Sequence, residues 1–365
     1  METINDVIKE QETAEQETAN QVTENRKGRK KKTKCVNNFG RIGWILVLGL
    51  VLEVIVSSIV LYIVQRKNPA LLEDANLSTI VSYIMLIVSI YLPTIFLGRK
   101  LEKREIQKNK MPFGMLMVSI IVIYSAGILS NIVGTIINYV LGIATGEGIQ
   151  IPLLDALDGL NPFLIIVLTA VVAPVFEELV FRKIIIDSVI KYNEISAIIF
   201  SGLCFGLFHG NLSQFVYTFV VGMLFAYIYV RTGKIKYTIC CHVVLNTLGS
   251  VPIFLMQKID LEKITEYVQA GEMDQYMEYV IEHVATFALV GLYGMIVLTL
   301  IVLGIIFLFV FRKKFFIKHR EDEIKTSSAV KLMFLNPGMI IFLVIEIMNI
   351  VAAQFGDRLM RMLEQ

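Results

Sequence analysis

PFLIIVLTAVVAPVFEELVFRK, residues 162–183, is apolar almost throughout to Phe176, then carries two adjacent acids, Glu177 and Glu178, with Arg182 one helical turn beyond. With the apolar residues that follow to 190, the run exceeds the ~20 residues a helix needs to cross the ~30 Å hydrocarbon layer. A charge at mid-bilayer costs roughly 2.5–3.5 kcal/mol even on the insertion scale, so acids in such a span face a protein interior or a wet chamber and mark function. Glu178 and Arg182, spaced i, i+4, account for each other as an ion pair. Glu177, one residue earlier, points elsewhere and needs another reason.

The rest of the chain repeats the apolar pattern. Of 365 residues, 55% are hydrophobic and 18% charged, and the apolar residues come in blocks rather than at amphipathic spacing. The fold class is therefore all-α, a polytopic transmembrane helical bundle. Spans are expected at about 42–64, 77–98, 113–143, 162–190, 195–209, 212–230, 235–256, 284–311 and 337–355; the last carries Glu346 and Asn349, so the count is eight or nine. Residues 1–38 divide into an acidic, Glu/Gln/Thr-rich half and a basic half with little to bury, which predicts a disordered cytoplasmic tail ahead of a membrane domain over 39–356. The basic run suits an anchor on anionic membrane lipid rather than nucleic acid.

Lys and Arg alternate between the links: 65–76 holds Arg66 and Lys67, 99–112 is rich, 144–161 has none, and "RKKFFIKHR" follows the eighth span. All the rich links fall on one side if the N-terminus is cytoplasmic, which gives a multi-pass cell-membrane protein in that orientation. The loop 257–283 is acidic and faces outward. Cys35, Cys204, Cys240 and Cys241 form no framework and read as unpaired thiols; Cys240, Cys241 and His242 point about 100° apart and cannot converge on one ion. His283 and His319 read as solvated, and Glu53 has no evident partner. No internal repeat supports a transporter.

Two more helices hold polar stations: "FGLFHGN" places Phe205 one turn from His209, and "CCHVVLN" places His242 and Asn246 on one face. A straight-helix count at ~1.5 Å per residue spreads Glu177, His209, His242 and Asn246 over about 13 Å of depth. A carboxylate beside an imidazole can hold and deprotonate a water, while an imidazole and an amide can donate to the oxyanion of a tetrahedral intermediate. Peptide hydrolysis fits this inventory. A divalent metal such as zinc on His209, His242 and Glu177 is the alternative way to activate water. HExxH and GxSG are absent, and no second intramembrane aspartate accompanies Asp357.

EELVFR (177–182), FGLFH (205–209) and HVVLN (242–246) resemble, in order, the three motifs of the CPBP family, the CAAX prenyl proteases and bacteriocin-processing (Abi) membrane proteins. The resemblance covers about 160–255. It implies an intramembrane endopeptidase, usually classed as a metalloprotease, acting on membrane-associated or lipidated peptides. Glu177 would then be the base, His209 would help hold the water, and Glu178 would orient the site through Arg182. His242 and Asn246 would bind the oxyanion, with Phe205 shaping the pocket. A self-immunity protein that binds a bacteriocin without proteolysis is the other expectation.

Overall fold

The computed structural model describes residues 2–145, 160–318 and 320–363. His319 and most of the Lys/Arg-free link 144–161 lie outside them. Helix is the architecture throughout, with no strand among the described residues. In chain order the elements are α1 (Glu2–Lys67), α2 (Ala75–Gly98), α3 (Phe113–Thr145), α4 (Pro162–Val189), α5 (Glu194–Leu207), α6 (Leu212–Thr232), α7 (Ile235–Met256), α8 (Leu261–Ala270), α9 (Met273–Glu282), α10 (Val284–Phe311), α11 (Thr326–Phe334) and α12 (Pro337–Leu363).

Eight of these are long and apolar enough to cross a membrane. Of the shorter four, α5 is the apolar one, and its 14 residues span only ~21 Å. It survives as a short helix because it is enclosed by protein. α5 and α6 form a hairpin in which Gly202 and Gly206 lie against Met223 and Phe219, and Glu194 at the start of α5 pairs with Arg231 at the end of α6. A Cβ on Gly222 would stand 2.9 Å from Cδ1 of Phe205, so the close approach of the two helices requires hydrogen there. The contrary case is α10, where Gly304 is the one buried residue and the rest offers apolar side chains outward, as a helix bathed in lipid does.

Caps set the joints. Asn161 accepts from the Phe163 and Leu164 amides, Asn193 from Ser196, and Asn211 from Gln214, opening α4, α5 and α6. Between α5 and α6 the chain reverses at Gly210, whose φ of 63° suits glycine. At the end of the bundle that carries the Lys/Arg-rich links, residues 99–112 run across the helix termini: Arg104 N–H donates to Asp187 O and Asn109 N–H to Thr232 O.

Helix α1 starts at Glu2, and Cys35 is the first buried residue among the side chains described, so the tail ahead of it stands apart from the packed bundle. Glu, Gln, Ala and Lys are good helix formers and prolong a helix already nucleated by the span behind them. Cys35, Asn38 and Phe39 are buried, so packing begins a few residues before position 39. The acidic loop folds into the short helices α8 and α9, where His283 stacks on Tyr279 at 4.2 Å between ring centroids rather than standing in solvent. Glu53 has a partner, the Ser57 hydroxyl at 2.9 Å.

Candidate active site

The site grows from an interruption in α4. Residues Ile166–Val172 and Leu179–Ile186 are π-helical and flank the α-helical turn Ala173–Glu178. The Ala173 amide reaches back five residues to Leu168 O. The next amide in that register would serve Thr169 O, but position 174 is proline and has no N–H. Thr169 O is instead satisfied by Asn246 Nδ2 of α7 at 2.8 Å. Pro174 thus frees a carbonyl inside the bundle, and Asn246 ties α7 to α4 by filling it.

One turn beyond, Glu177 and Glu178 meet α7 at His242. Glu178 and Arg182 are fully buried, and Arg182 Nε lies 3.0 Å from Glu178 Oε2. The guanidinium is also held by Phe205 and Phe225, whose ring centres lie 4.8 and 5.4 Å away, and donates from Nη1 to Ser201 Oγ at 3.3 Å. Ser201 Oγ in turn donates to Phe181 O. An ion pair this deep needs its remaining valences occupied, and here Nη1 is served by Ser201 while the buried Nη2 has no hydrogen-bond partner among the described residues. The pair then orients His242: Nδ1 lies 3.1 Å from Glu178 Oε1, and Nε2 faces Glu177 Oε2 at 3.5 Å. Because Glu178 is a carboxylate bound to arginine, it accepts and Nδ1 donates. That fixes the tautomer of the neutral ring, with the Nε2 lone pair toward Glu177.

Glu177 is 9% exposed and also receives the Tyr91 hydroxyl of α2 at 3.3 Å. Tyr91 stacks on Phe176 at 5.6 Å and packs against Phe208 at 5.8 Å. His209, at the tip of α5, donates from Nδ1 to Phe205 O at 2.8 Å, so its neutral ring also leaves Nε2 as an acceptor. Phe205 joins the two imidazoles, edge-on to His209 at 5.0 Å and to His242 at 5.6 Å. Asn211 donates to His209 O and fixes the turn that carries it.

Glu177, Glu178, Arg182, His242 and Phe205 are therefore one contiguous cluster. The straight-helix count sets Glu177 and His242 within about 2 Å of one another in depth, its ~13 Å spread running from Glu177 to His209; the contact of Glu177 with His242 agrees with it. Asn246 touches Thr169 rather than the carboxylates, and His209 bonds its own helix. Glu177, His209 and His242 are not gathered as a ligand group: among the described residues no three His, Cys, Asp or Glu side chains stand so as to hold a metal ion. Nδ1 of each histidine is already committed within the protein, so a metal would have to take the two rings at Nε2. Sequence reasoning missed Tyr91 and Thr169. A tyrosine in an apolar span has no distinguishing mark, while Pro174 was a visible sign of the freed carbonyl.

Fold and site together define a polytopic membrane protein with a buried glutamate–histidine constellation in its helical core. Residues 159–248 match the family described as Type II CAAX prenyl endopeptidase Rce1-like, in line with the resemblance of the three ordered motifs to the CPBP family of membrane CAAX-type proteases. It is 28% identical over 211 residues to the putative membrane peptidase YdiL of Bacillus subtilis, covering 56% of this chain and 80% of YdiL. It is 26% identical over 241 residues to the membrane-embedded CAAX protease MroQ of Staphylococcus aureus, covering 61% of this chain and 94% of MroQ. No solved structure matches the chain.

Proposed function

We propose that the chain is an intramembrane endopeptidase that cleaves membrane-associated or lipidated peptides with a water activated by Glu177. The observation that carries this reading is the buried relay Arg182–Glu178–His242–Glu177, which leaves one carboxylate paired and one slightly exposed. Glu178 neutralises Arg182 and turns His242. Glu177, held by Tyr91 and flanked by the Nε2 lone pair of His242, is the carboxylate free to take a proton.

In the reaction, Glu177 accepts a proton as the water oxygen bonds to the scissile carbonyl carbon. The carbonyl oxygen becomes an oxyanion, and its donor in the resting site is the second Nδ2 hydrogen of Asn246, the first being spent on Thr169 O. In the neutral tautomer chosen by Glu178, His242 Nε2 accepts rather than donates, so it serves the oxyanion only after taking a proton. His209 Nε2, left as an acceptor by the bond of Nδ1 to Phe205 O, takes the other hydrogen of the water in this reading. When the C–N bond breaks, Glu177 returns its proton to the leaving amine.

The basic end of the bundle is the cytoplasmic end in this reading, which puts the N-terminus inside and leaves membrane lipid and a peptide as the partners. The test is incubation of the purified protein in lipid vesicles with a peptide library, with and without a chelator. Cleaved products identified by mass spectrometry support the reading, and persistence of cleavage in chelator fits the unassembled ligand set. Protection of cells from a bacteriocin with no cleavage of any peptide would point to immunity by binding instead.

A further inference from the structure

A cavity of about 500 Å³ lies at the basic end, lined by the link before α3, the first turns of α3, the end of α6 and the chain after α10. It shares no lining residue with the glutamate–histidine cluster. Its size falls within the roughly 300–1,000 Å³ of small-molecule sites. The opening has a structural cause. Helices α3 and α10 are clamped midway, where Tyr124 and Tyr293 share a hydrogen bond of 3.0 Å, Ser125 Oγ donates to Ile301 O at 3.1 Å, and Gly304 abuts Ser125. Toward the basic end from that clamp, Met115, Val118 and Val122 of α3 face Leu224 and Ile228 of α6 and Phe311 of α10 across the gap. The apolar wall extends for about 11 Å along α3, from Met115 to Val122.

The mouth is polar and mainly cationic. Arg104, Arg231, Lys314, Lys318 and Arg320 line it, against Glu105 and Glu194. Glu194 is already engaged by Arg231 and by the Lys318 amide at 3.0 Å. Arg231, wedged between Tyr227 and Phe316 at 5.4 and 5.0 Å, still has buried Nε and Nη1 atoms with no acceptor. Buried guanidinium donors without partners are costly, and the acceptor that matches them is an anion. A charged mouth above an apolar slot, at the level where the links leave the spans, excludes a free inorganic anion as the best fit and matches an amphiphile.

We propose that this cavity is a binding site for an anionic phospholipid, its phosphate on Arg231 and the neighbouring lysines and an acyl chain between α3 and α6. The test uses the full-length protein, stripped of lipid in detergent, with dioleoyl phosphatidylglycerol, dioleoyl phosphatidylcholine and inorganic phosphate as separate probes, read by native mass spectrometry and thermal unfolding. Phosphatidylglycerol is expected to be retained and to raise the unfolding midpoint, whereas phosphatidylcholine and phosphate leave it unchanged. Lys314 and Lys318 are exposed, so the double variant Lys314→Gln/Lys318→Gln folds normally and should weaken phosphatidylglycerol retention by about tenfold or more. Val122→Trp fills the slot without altering charge and should abolish the same retention. Equal retention of phosphatidylcholine, an equal effect of phosphate alone, or wild-type retention in both variants would overturn the assignment.

Discussion

His242 is held by Glu178 at Nδ1 and faces Glu177 across 3.5 Å at Nε2, and the two acids do different work. Glu178→Gln removes the only carboxylate paired with Arg182, leaving a guanidinium uncompensated in the core. The expected outcome is loss of about 3–5 kcal/mol of stability, read as a fall in the thermal midpoint, together with loss of activity. Tyr91→Phe deletes one hydrogen bond to Glu177 and keeps the ring stacked on Phe176. Its midpoint should stay close to wild type while peptide cleavage falls roughly tenfold, as the loss of one hydrogen bond to a charged group implies. The Glu178–Arg182 pair was legible from i, i+4 spacing alone, and Glu177 stood out because that spacing could not explain it. Tyr91 was not legible, since its contact crosses 86 residues of sequence and no local pattern encodes it.

Two couplings hold the elements around the site. Asn246→Leu orphans Thr169 O and should cost about 1–3 kcal/mol, because a buried carbonyl loses its donor. Pro174→Ala supplies the missing N–H on α4 itself. In that background Asn246→Leu should cost distinctly less, so a double-mutant cycle on thermal stability should show non-additivity; strictly additive effects would mean the proline and the amide do not share that carbonyl. At the hairpin, Gly222→Ala drives a methyl to 2.9 Å from Phe205, the ring between both imidazoles. A destabilisation of about 1–3 kcal/mol is expected, with activity falling alongside. Nine apolar helices were visible in the sequence because lipid-facing composition is a strong signal, seven with both ends within a few residues, while α1 begins well ahead of its expected span and α12 runs on beyond its own. The π-helical stretches of α4 were not, because apolar side chains suit α- and π-helical backbones alike.

For the whole molecule, the direction of each helix follows from which end carries lysine and arginine. The short α5 does not disturb that alternation, since it enters at Glu194 beside Arg231, where α6 leaves. Cysteine placed at Lys108 should react with an impermeant maleimide only from the cytoplasmic face, and cysteine at Glu278 only from outside; reversal of the two would invert the topology. The native thiols give little background, as Cys35, Cys204 and Cys241 are buried and Cys240 half-buried. Residue counting set Glu177 and His242 at nearly one depth, as their contact requires, but which helices stand side by side depends on packing that counting does not contain. What composition could not supply, the ordered motifs did, by placing the acids and the histidine in one cluster.

The central claim rests on Glu177 as the base. Cleavage of a membrane-bound peptide by the wild type and by Glu177→Gln, both in vesicles and with matched unfolding midpoints, tests it most directly. The predicted result is a drop of about 10²–10⁴-fold in the variant, the range supplied by general acid–base catalysis. Cleavage by Glu177→Gln at the wild-type rate would contradict it.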